Sequence, residues 1–133
     1  MSDLTYEFKL EVKASEIDDL NHVNNINYLN WVQLAANKHW KELSNSKIDE
    51  KYVWVVLRHE IDYFQPAFIN ETILVKTWVG SSYGVKSERF VEIRRNDELL
   101  AKAKTIWCLL DKVLMKPVRI PSEILQILKV KEV

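Results

Sequence analysis

A cluster of polar residues lies directly in front of the longest helical pattern in the chain. The stretch SEIDDLNHVNNINYLNW, residues 15–31, contains the acids Asp18 and Asp19, His22 and several asparagines. Asparagine and aspartate are common at helix starts because their side chains accept hydrogen bonds from the free N–H groups of the first turn. Capping by Asn24 explains one of these residues, but it does not explain Asp18 and His22 together.

The start of this helix carries no acidic residue of its own. None occurs between Asp19 and Glu42, although acids usually occupy the first turn because the aligned peptide dipoles leave about half a positive charge there. A helix end without such an acid can polarise the carbonyl oxygen of a ligand or bind an anion. The pattern indicates a functional site, while capping by Asn24 with a hydrophobic staple of Val23 on Tyr28 remains the structural alternative.

The elements around this junction are visible in the periodicity of the sequence. Residues 6–13 alternate apolar and charged side chains, which is typical of a half-buried strand, and residues 26–43 have apolar side chains at helical spacing. Four further strand patterns follow at residues 52–64, 71–80, 85–95 and 99–111, separated by turns that include GSSYG and NDE. We predict that these four form an antiparallel meander, and that a short helical segment closes the chain within residues 116–128.

One long helix and one antiparallel sheet can bury their apolar faces only against each other. At 133 residues the chain fits one hydrophobic core. We therefore predict a single α+β domain over residues 1–133, in which an antiparallel five-stranded sheet wraps around one long central helix.

Composition argues against several classes of partner. The 19 basic and 19 acidic residues cancel, so no global field would attract nucleic acid or an anionic membrane. No apolar run approaches the roughly 20 residues of a membrane span, and the N-terminal residues lack a signal-peptide pattern, so we expect a soluble, cytoplasmic protein. Cys108 is expected to be buried and inert. His39 and His59 match no ligand spacing, and we predict neither a metal site nor a cofactor.

Asp18 and the following NHVNNINYLNWVQLAA resemble the D-x-x-G-H-V-N-N-x-x-Y-L-x-W-x-x-x-A-R signature of the hotdog-fold acyl-CoA thioesterases, the group that includes 4-hydroxybenzoyl-CoA thioesterase. The resemblance extends through VVLRHEIDYFQPAFINETILVKTWVG to ELLAKAKTIWCLLD and KPVRIPSEI near the end of the chain. It implies the hotdog fold and the hydrolysis of an acyl-CoA thioester to a free acid and CoA.

The resemblance also implies roles for four residues at the junction. Asp18 falls on the catalytic aspartate of the family, which acts as nucleophile or as general base towards water. Asn25 falls on the position whose backbone N–H points at the thioester oxygen. His22 and Asn24 would orient Asp18 or the attacking water, although a packing or capping role for His22 stays open.

The phosphates of CoA require basic and polar residues near the open end of the acyl tunnel. The turn GSSYGVKSER offers Ser82, Tyr83, Lys86 and Arg89, and Arg58 is a further candidate. The alternative is that these are ordinary exposed strand residues.

Five tryptophans in so short a chain suggest a surface that is buried on assembly. Related hotdog domains pair their sheets edge to edge and form their sites between two subunits. The resemblance therefore implies a homo-oligomer, a dimer that assembles further into a homotetramer.

The chain departs from the signature at three positions. Asn21 replaces the glycine before the histidine, but asparagine tolerates positive φ better than most residues. Ala36 replaces the usual arginine on the helix, and Leu34 replaces a common acid. If those charges fix the active geometry, their loss affects activity or the choice of substrate.

Two other functions remain open for a protein with this resemblance. The first is an acyl carrier protein thioesterase, although Leu20 occupies the place of an asparagine in the motif of those enzymes. The second is a hotdog protein that binds acyl thioesters without hydrolysing them. The presence of Asp18 argues against the second, because a binder does not need a carboxylate beside the scissile bond.

Overall fold

A computed structural model describes residues 5–128 and shows one long helix packed on a five-stranded sheet. The strands are β1 (Thr5–Glu11), β2 (Tyr52–Tyr63), β3 (Thr72–Tyr83), β4 (Lys86–Arg95) and β5 (Glu98–Asp111); the helices are α1 (Asn25–Leu43), α2 (Ser46–Lys51) and α3 (Ser122–Leu128). A single 3₁₀ turn, Ala14–Glu16, follows β1. None of the helices within the described part of the chain is long and apolar enough to cross a bilayer.

The predicted elements are confirmed, apart from small shifts at their ends and one omission. The sequence analysis missed α2, which begins after Asn45, whose side chain accepts a hydrogen bond from the N–H of Ile48 at 3.0 Å. The turn predicted at GSSYG was placed too early. Strand β3 continues to Tyr83, and the chain reverses at Gly84, whose φ of 60° suits glycine.

The strand order is β1-β3-β4-β5-β2, with every neighbouring pair antiparallel. The prediction of a four-stranded meander was therefore wrong for β2, which pairs with β5 at the far edge instead of with β3. The eight residues between β2 and β3 span the roughly 14 Å across the intervening strands, a path that a tight hairpin turn could not make. The predicted sheet around one central helix is otherwise confirmed.

Two apolar clusters fill the space between α1 and the inner face of the sheet. The first lies under the N-terminal half of α1 and includes Tyr28, Trp31 and Val32. The second lies under its C-terminal end, where α2 and α3 add Ile48 and Ile124. Cys108 is buried, as expected.

A buried polar layer separates the two clusters. It consists of the polar side chains that are buried within residues 5–128, namely His39, Thr77, Ser87, Arg89 and Thr105. On β3 the inward side chains run Val75, Thr77, Val79, so the layer crosses the sheet between apolar rows.

Arg89 is the centre of this layer. Its Nη1 donates to Nδ1 of His39 at 2.8 Å and to Oγ1 of Thr77 at 3.1 Å, and the ring of Tyr6 stacks on His39 at 5.4 Å. Because a guanidinium can only donate, Nδ1 of His39 accepts and carries no proton. Burial and the charge of Arg89 lower the pKa of His39 to about 4.

Replacing His39 should change how the stability of the protein depends on pH. The pKa of His39 is about 4 in the folded chain and about 6.5 when unfolded, so between these values only the unfolded chain binds a proton there. The free energy of unfolding should therefore fall as the pH drops from about 6.5 to 4, by up to about 3 kcal/mol. Urea unfolding of wild type and His39→Gln across this range measures the difference.

Burial also lowers the pKa of His59. His59 therefore makes the free energy of unfolding fall with decreasing pH in both wild type and His39→Gln. The difference between the two curves therefore isolates His39. Parallel curves for wild type and variant would show that His39 binds its proton equally in both states.

Candidate active site

The loop in front of α1 is held by its own backbone. Ile17 and Val23 form an antiparallel bridge, and the N–H of Asp18 donates to the carbonyl oxygen of His22 at 2.8 Å. Asn21 lies at the reversal with φ of 65°. Asparagine adopts this left-handed conformation more readily than most residues, so the loop forms without the glycine of the family signature.

The carboxylate of Asp18 is anchored within this loop. Its Oδ1 accepts the N–H of Leu20 at 2.9 Å and the N–H of His22 at 3.2 Å, whereas no hydrogen bond to Oδ2 is found within residues 5–128. Asp18 is therefore part of the loop's own structure, and one of its oxygens is available to a ligand or a water. Asp19 is exposed and makes no such bond.

The start of α1 is capped by Asn24, as predicted. Oδ1 of Asn24 accepts the N–H of Ile26 at 3.2 Å, and its own N–H donates to the carbonyl of Glu16 at 2.8 Å. Val23 and Tyr28 are both buried in the first apolar cluster, as the staple predicted. The backbone N–H of Asn25 has no acceptor in the described part of the chain, and the first turn contains no acid.

Asp18, His22, Asn24 and Asn25 all line one cavity of about 420 Å³. Its other wall is the end of β2 and the residues after it, where Tyr63 and Phe64 are about half exposed. Tyr63 packs edge-on against Tyr28, whose hydroxyl oxygen accepts the N–H of Ala67 at 3.1 Å. The four residues that the sequence singled out are therefore together at one site.

The sequence analysis did not name the opposite wall of this cavity. Tyr63 and Phe64 belong to the run DYFQP, where two aromatic residues and a proline end a strand. That run was the available signal, because large apolar side chains at a strand end are exposed unless something covers them. The ring of His22 packs edge-on against Phe68 at 5.4 Å, so the packing alternative for His22 has a partner in the structure.

Comparison with known proteins decides the family of the chain. A family model described as the thioesterase-like superfamily matches residues 12–128. The chain belongs to the thioesterase-like superfamily. A Bacillus subtilis (strain 168) protein named "Putative acyl-CoA thioesterase YneP" is 30% identical over 115 residues, which cover 84% of this chain and 83% of that protein.

Solved structures of thioesterases share the fold. A "predicted thioesterase" from Bacillus stearothermophilus superposes with a TM-score of 0.86 at 20% identity and covers 95% of each chain. Slr0204, a 1,4-dihydroxy-2-naphthoyl-CoA thioesterase from Synechocystis, gives a TM-score of 0.81 at 18% identity, over 94% of this chain and 96% of that one. The hotdog fold expected for this member of the thioesterase-like superfamily is confirmed.

The five residues predicted to bind CoA lie elsewhere in this thioesterase-like protein. None of them lines the Asp18 cavity. Arg58 is exposed and pairs with Glu60 at 2.7 Å; Oγ of Ser82 lies 2.8 Å from Oγ of Ser87; Tyr83 and Lys86 are exposed. Arg89 differs from the other four, because it is only 6% exposed and faces α1. Its side chain is therefore inside the sheet and not part of the surface turn.

Substitution of Asp18 should separate its role in the loop from its charge. Asp18→Ala removes the acceptor of two backbone N–H groups and should lower the free energy of unfolding by about 1 to 2 kcal/mol. Asp18→Asn keeps an oxygen at Oδ1 and should stay within about 0.5 kcal/mol of wild type. Urea unfolding at pH 7 compares them, with Asp19→Ala as the matched exposed control. Equal losses for the two Asp18 variants would show that the loop does not depend on these bonds.

Proposed function

We propose that this protein hydrolyses acyl-CoA thioesters to the free acid and CoA. The observation that carries the proposal is the shared cavity of Asp18 and Asn25, with a carboxylate fixed by backbone bonds and a free N–H at an acid-free helix start. Membership of the thioesterase-like superfamily and the name of the Bacillus subtilis relative support the acyl-CoA substrate class.

The proposed reaction needs one carboxylate and one water. As general base, Asp18 takes a proton from the water while the oxygen of that water adds to the thioester carbon. The C–S bond then breaks, and the CoA thiolate leaves and is protonated. As nucleophile, Asp18 adds to the same carbon, CoA leaves, and water hydrolyses the acyl-aspartate anhydride. A thioester is activated enough for either route without a serine triad, and both routes place the carboxylate at the same position.

The start of α1 would stabilise the oxyanion of this reaction. The addition step puts negative charge on the former carbonyl oxygen, and the N–H of Asn25 is a donor without a partner within residues 5–128. With no acid in the first turn, the positive end of the helix dipole is not neutralised by its own side chains. Both features stabilise the negatively charged transition state more than the uncharged thioester.

Thiol release from a panel of acyl-CoAs of increasing chain length tests the proposal. The wild type should release CoA from at least one of them, and Asp18→Asn should lower kcat/KM by at least about a hundredfold while keeping the fold. Asp19→Asn is the matched control and should keep full activity. Full activity of Asp18→Asn would contradict the assignment of Asp18.

A proline at Asn25 should remove the proposed oxyanion donor without breaking α1. Proline has no N–H and is well accepted as the first helical residue, where its fixed φ suits the helix. Asn24 has φ of −62° and ψ of 135°, which is the conformation required before proline. Asn25→Pro should lower kcat by about 10²- to 10³-fold, whereas Asn25→Ala, which keeps the N–H, should stay close to wild type. Equal activities would place the donor elsewhere.

Hydrolysis of acyl carrier protein thioesters is the second candidate activity, and simple binding of acyl thioesters is the third. Both follow from the same cavity, because a carrier protein presents the same thioester arm. Arg58, Ser82, Tyr83 and Lys86 remain the proposed contacts for the phosphates of CoA. Release of thiol from acyl carrier protein but from no acyl-CoA would favour the carrier substrate, and binding without release from either would favour the binder.

We also propose that the working form is a homodimer, and that two dimers assemble into a tetramer through a second contact. Strand β2 has β5 on one side and no strand on the other within the described sheet. Leu57 on β2 and Leu34 on α1 are exposed apolar residues on these neighbouring elements, as expected for a surface that pairs. Light scattering should give at least twice the chain mass of 15.7 kDa. A monomer at micromolar concentration would contradict this.

A further inference from the structure

A second cavity lies at the other end of α1. Its volume is about 320 Å³, near the lower limit of small-molecule sites. Asn25 and Trp40 are fifteen residues apart on α1, so the cavity lies roughly 22 Å along the helix from the Asp18 site. Its apolar walls include Trp40 and Trp54, whose rings pack edge-on at 5.7 Å, together with Val53 and Leu128.

Arg89 lines this cavity with a charge that the described part of the chain does not neutralise. Both hydrogen bonds found for its guanidinium start at Nη1 and end on neutral acceptors, His39 and Thr77. No carboxylate of residues 5–128 lies within 4.0 Å of its nitrogens. An isolated buried charge costs several kcal/mol unless a partner of opposite charge offsets it.

His39 cannot supply the missing compensation. It accepts from Arg89, and its low pKa keeps it neutral at pH 7. Burial lowers the pKa of Arg89 only to about 10, so the guanidinium stays charged at the same pH. The layer between the two apolar clusters therefore holds one net positive charge.

Trp107 supplies an independent sign of a missing partner. It lines the same cavity, and its Nε1 is the one fully buried side-chain nitrogen or oxygen within residues 5–128 that has no hydrogen-bond partner. Trp107 stands directly opposite Ser87 on β4, two residues from Arg89 on the same face of the sheet. An indole N–H can only donate. The cavity is thus lined by one N–H without an acceptor and by one guanidinium without an anionic partner within residues 5–128.

We propose that this cavity binds the carboxylate of a small organic acid, with the anionic group at Arg89 and Trp107 and the apolar body against the paired rings of Trp40 and Trp54. A carboxylate has acceptor oxygens for both the guanidinium and the indole N–H. The aromatic walls favour an acid with an aliphatic or aromatic body over a small hydrated anion such as inorganic phosphate.

The rim of the cavity is compatible with an entering anion. Lys41 and Lys112 lie at the rim and are exposed. Asp49, the acid that also lines the cavity, already accepts hydrogen bonds from Nε1 of Trp40 at 3.3 Å and from Oγ of Ser44 at 2.8 Å. The two lysines outnumber this acid, whose carboxylate already has partners.

Calorimetric titration with matched pairs of ligands tests this site. Benzoate and hexanoate are the anionic probes, benzamide and hexanamide are their neutral counterparts, and inorganic phosphate is the third arm. The wild type should bind at least one carboxylate about tenfold or more tightly than its amide. Binding of amide and acid with equal affinity, no binding of either acid up to about 10 mM, or tighter binding of phosphate than of both acids would overturn the proposal.

Three variants assign the binding to this cavity. Trp107→Phe keeps an aromatic ring and removes the N–H. It should weaken carboxylate binding about fivefold and amide binding less, because an N–H bonds more strongly to an ionised acceptor than to a neutral one. Arg89→Met should abolish the preference for the acid. If Arg89→Met does not fold, Trp107→Phe alone decides, and unchanged affinity of that variant would overturn the proposal.

Asp18 lies at the other end of α1, so the variant Asp18→Asn should bind the acids with the same affinity as the wild type. A change in the affinity for the acids in Asp18→Asn, whether a loss or the gain expected from removing a like charge, would assign the carboxylate to the catalytic cavity and overturn the second site. The titrations require no turnover, so their outcome is independent of whether the protein hydrolyses acyl-CoA.

Discussion

The inner face of the sheet has to bury the apolar side of α1 along its whole length, and this packing places the two ends of the helix in different surroundings. Tyr28, Trp31 and Val32 fix the N-terminal half on the first apolar cluster. The start of the helix lines the Asp18 cavity. The C-terminal half reaches β4 through the hydrogen bond between His39 and Arg89, and α2 and α3 close the second cluster there. The helix thus carries an open, positively polarised start and a covered end.

The buried polar layer sits between these halves and sets a cost that the apolar clusters must offset. Arg89 donates hydrogen bonds to His39 and Thr77. Both acceptors are neutral, so they do not neutralise the positive charge of the guanidinium. Buried ionic groups are weak sources of stability. Their presence in a core that could have been filled with aliphatic side chains is more simply explained by binding than by folding.

The sequence predicted the grouping of Asp18, His22, Asn24 and Asn25 because these residues are close together in the chain. The loop of residues 17–23, the cap at Asn24 and the acid-free first turn are contiguous, and the bonds that anchor Asp18 and cap the helix join near neighbours. The bond from Val23 to Ala67 is the long-range exception. The position of β2 was not predictable in the same way. Alternation shows that a segment is a strand, but it does not show which strand lies beside it, and β2 pairs with β5 some fifty residues later.

The buried position of Arg89 could have been predicted from the alternation of side chains along β4, but the sequence analysis grouped Arg89 with the surface turn. Every second side chain of β4 points to the same side of the sheet, which is the side of Ser87, Arg89, Val91 and Ile93. Since Val91 and Ile93 are apolar and face the core, the alternation alone places Arg89 inside as well. Its charge suggested an exposed phosphate contact instead. The hydrogen bonds to His39 and Thr77 come from elements distant in sequence, and no local pattern reveals them.

The acid-free start of α1 has a consequence for attempts to stabilise this protein. Routine optimisation of helix ends adds aspartate or glutamate to the first turn, typically for 0.3 to 1 kcal/mol at each site. The positions chosen would be Asn25, Ile26 and Asn27. Asn25 and Ile26 are exposed, so an acidic side chain can be accommodated there. A negative charge there would also offset the positive end of the helix dipole, which the proposed oxyanion needs. Under the proposed mechanism, the most stable version of this helix and the most active one are therefore different sequences.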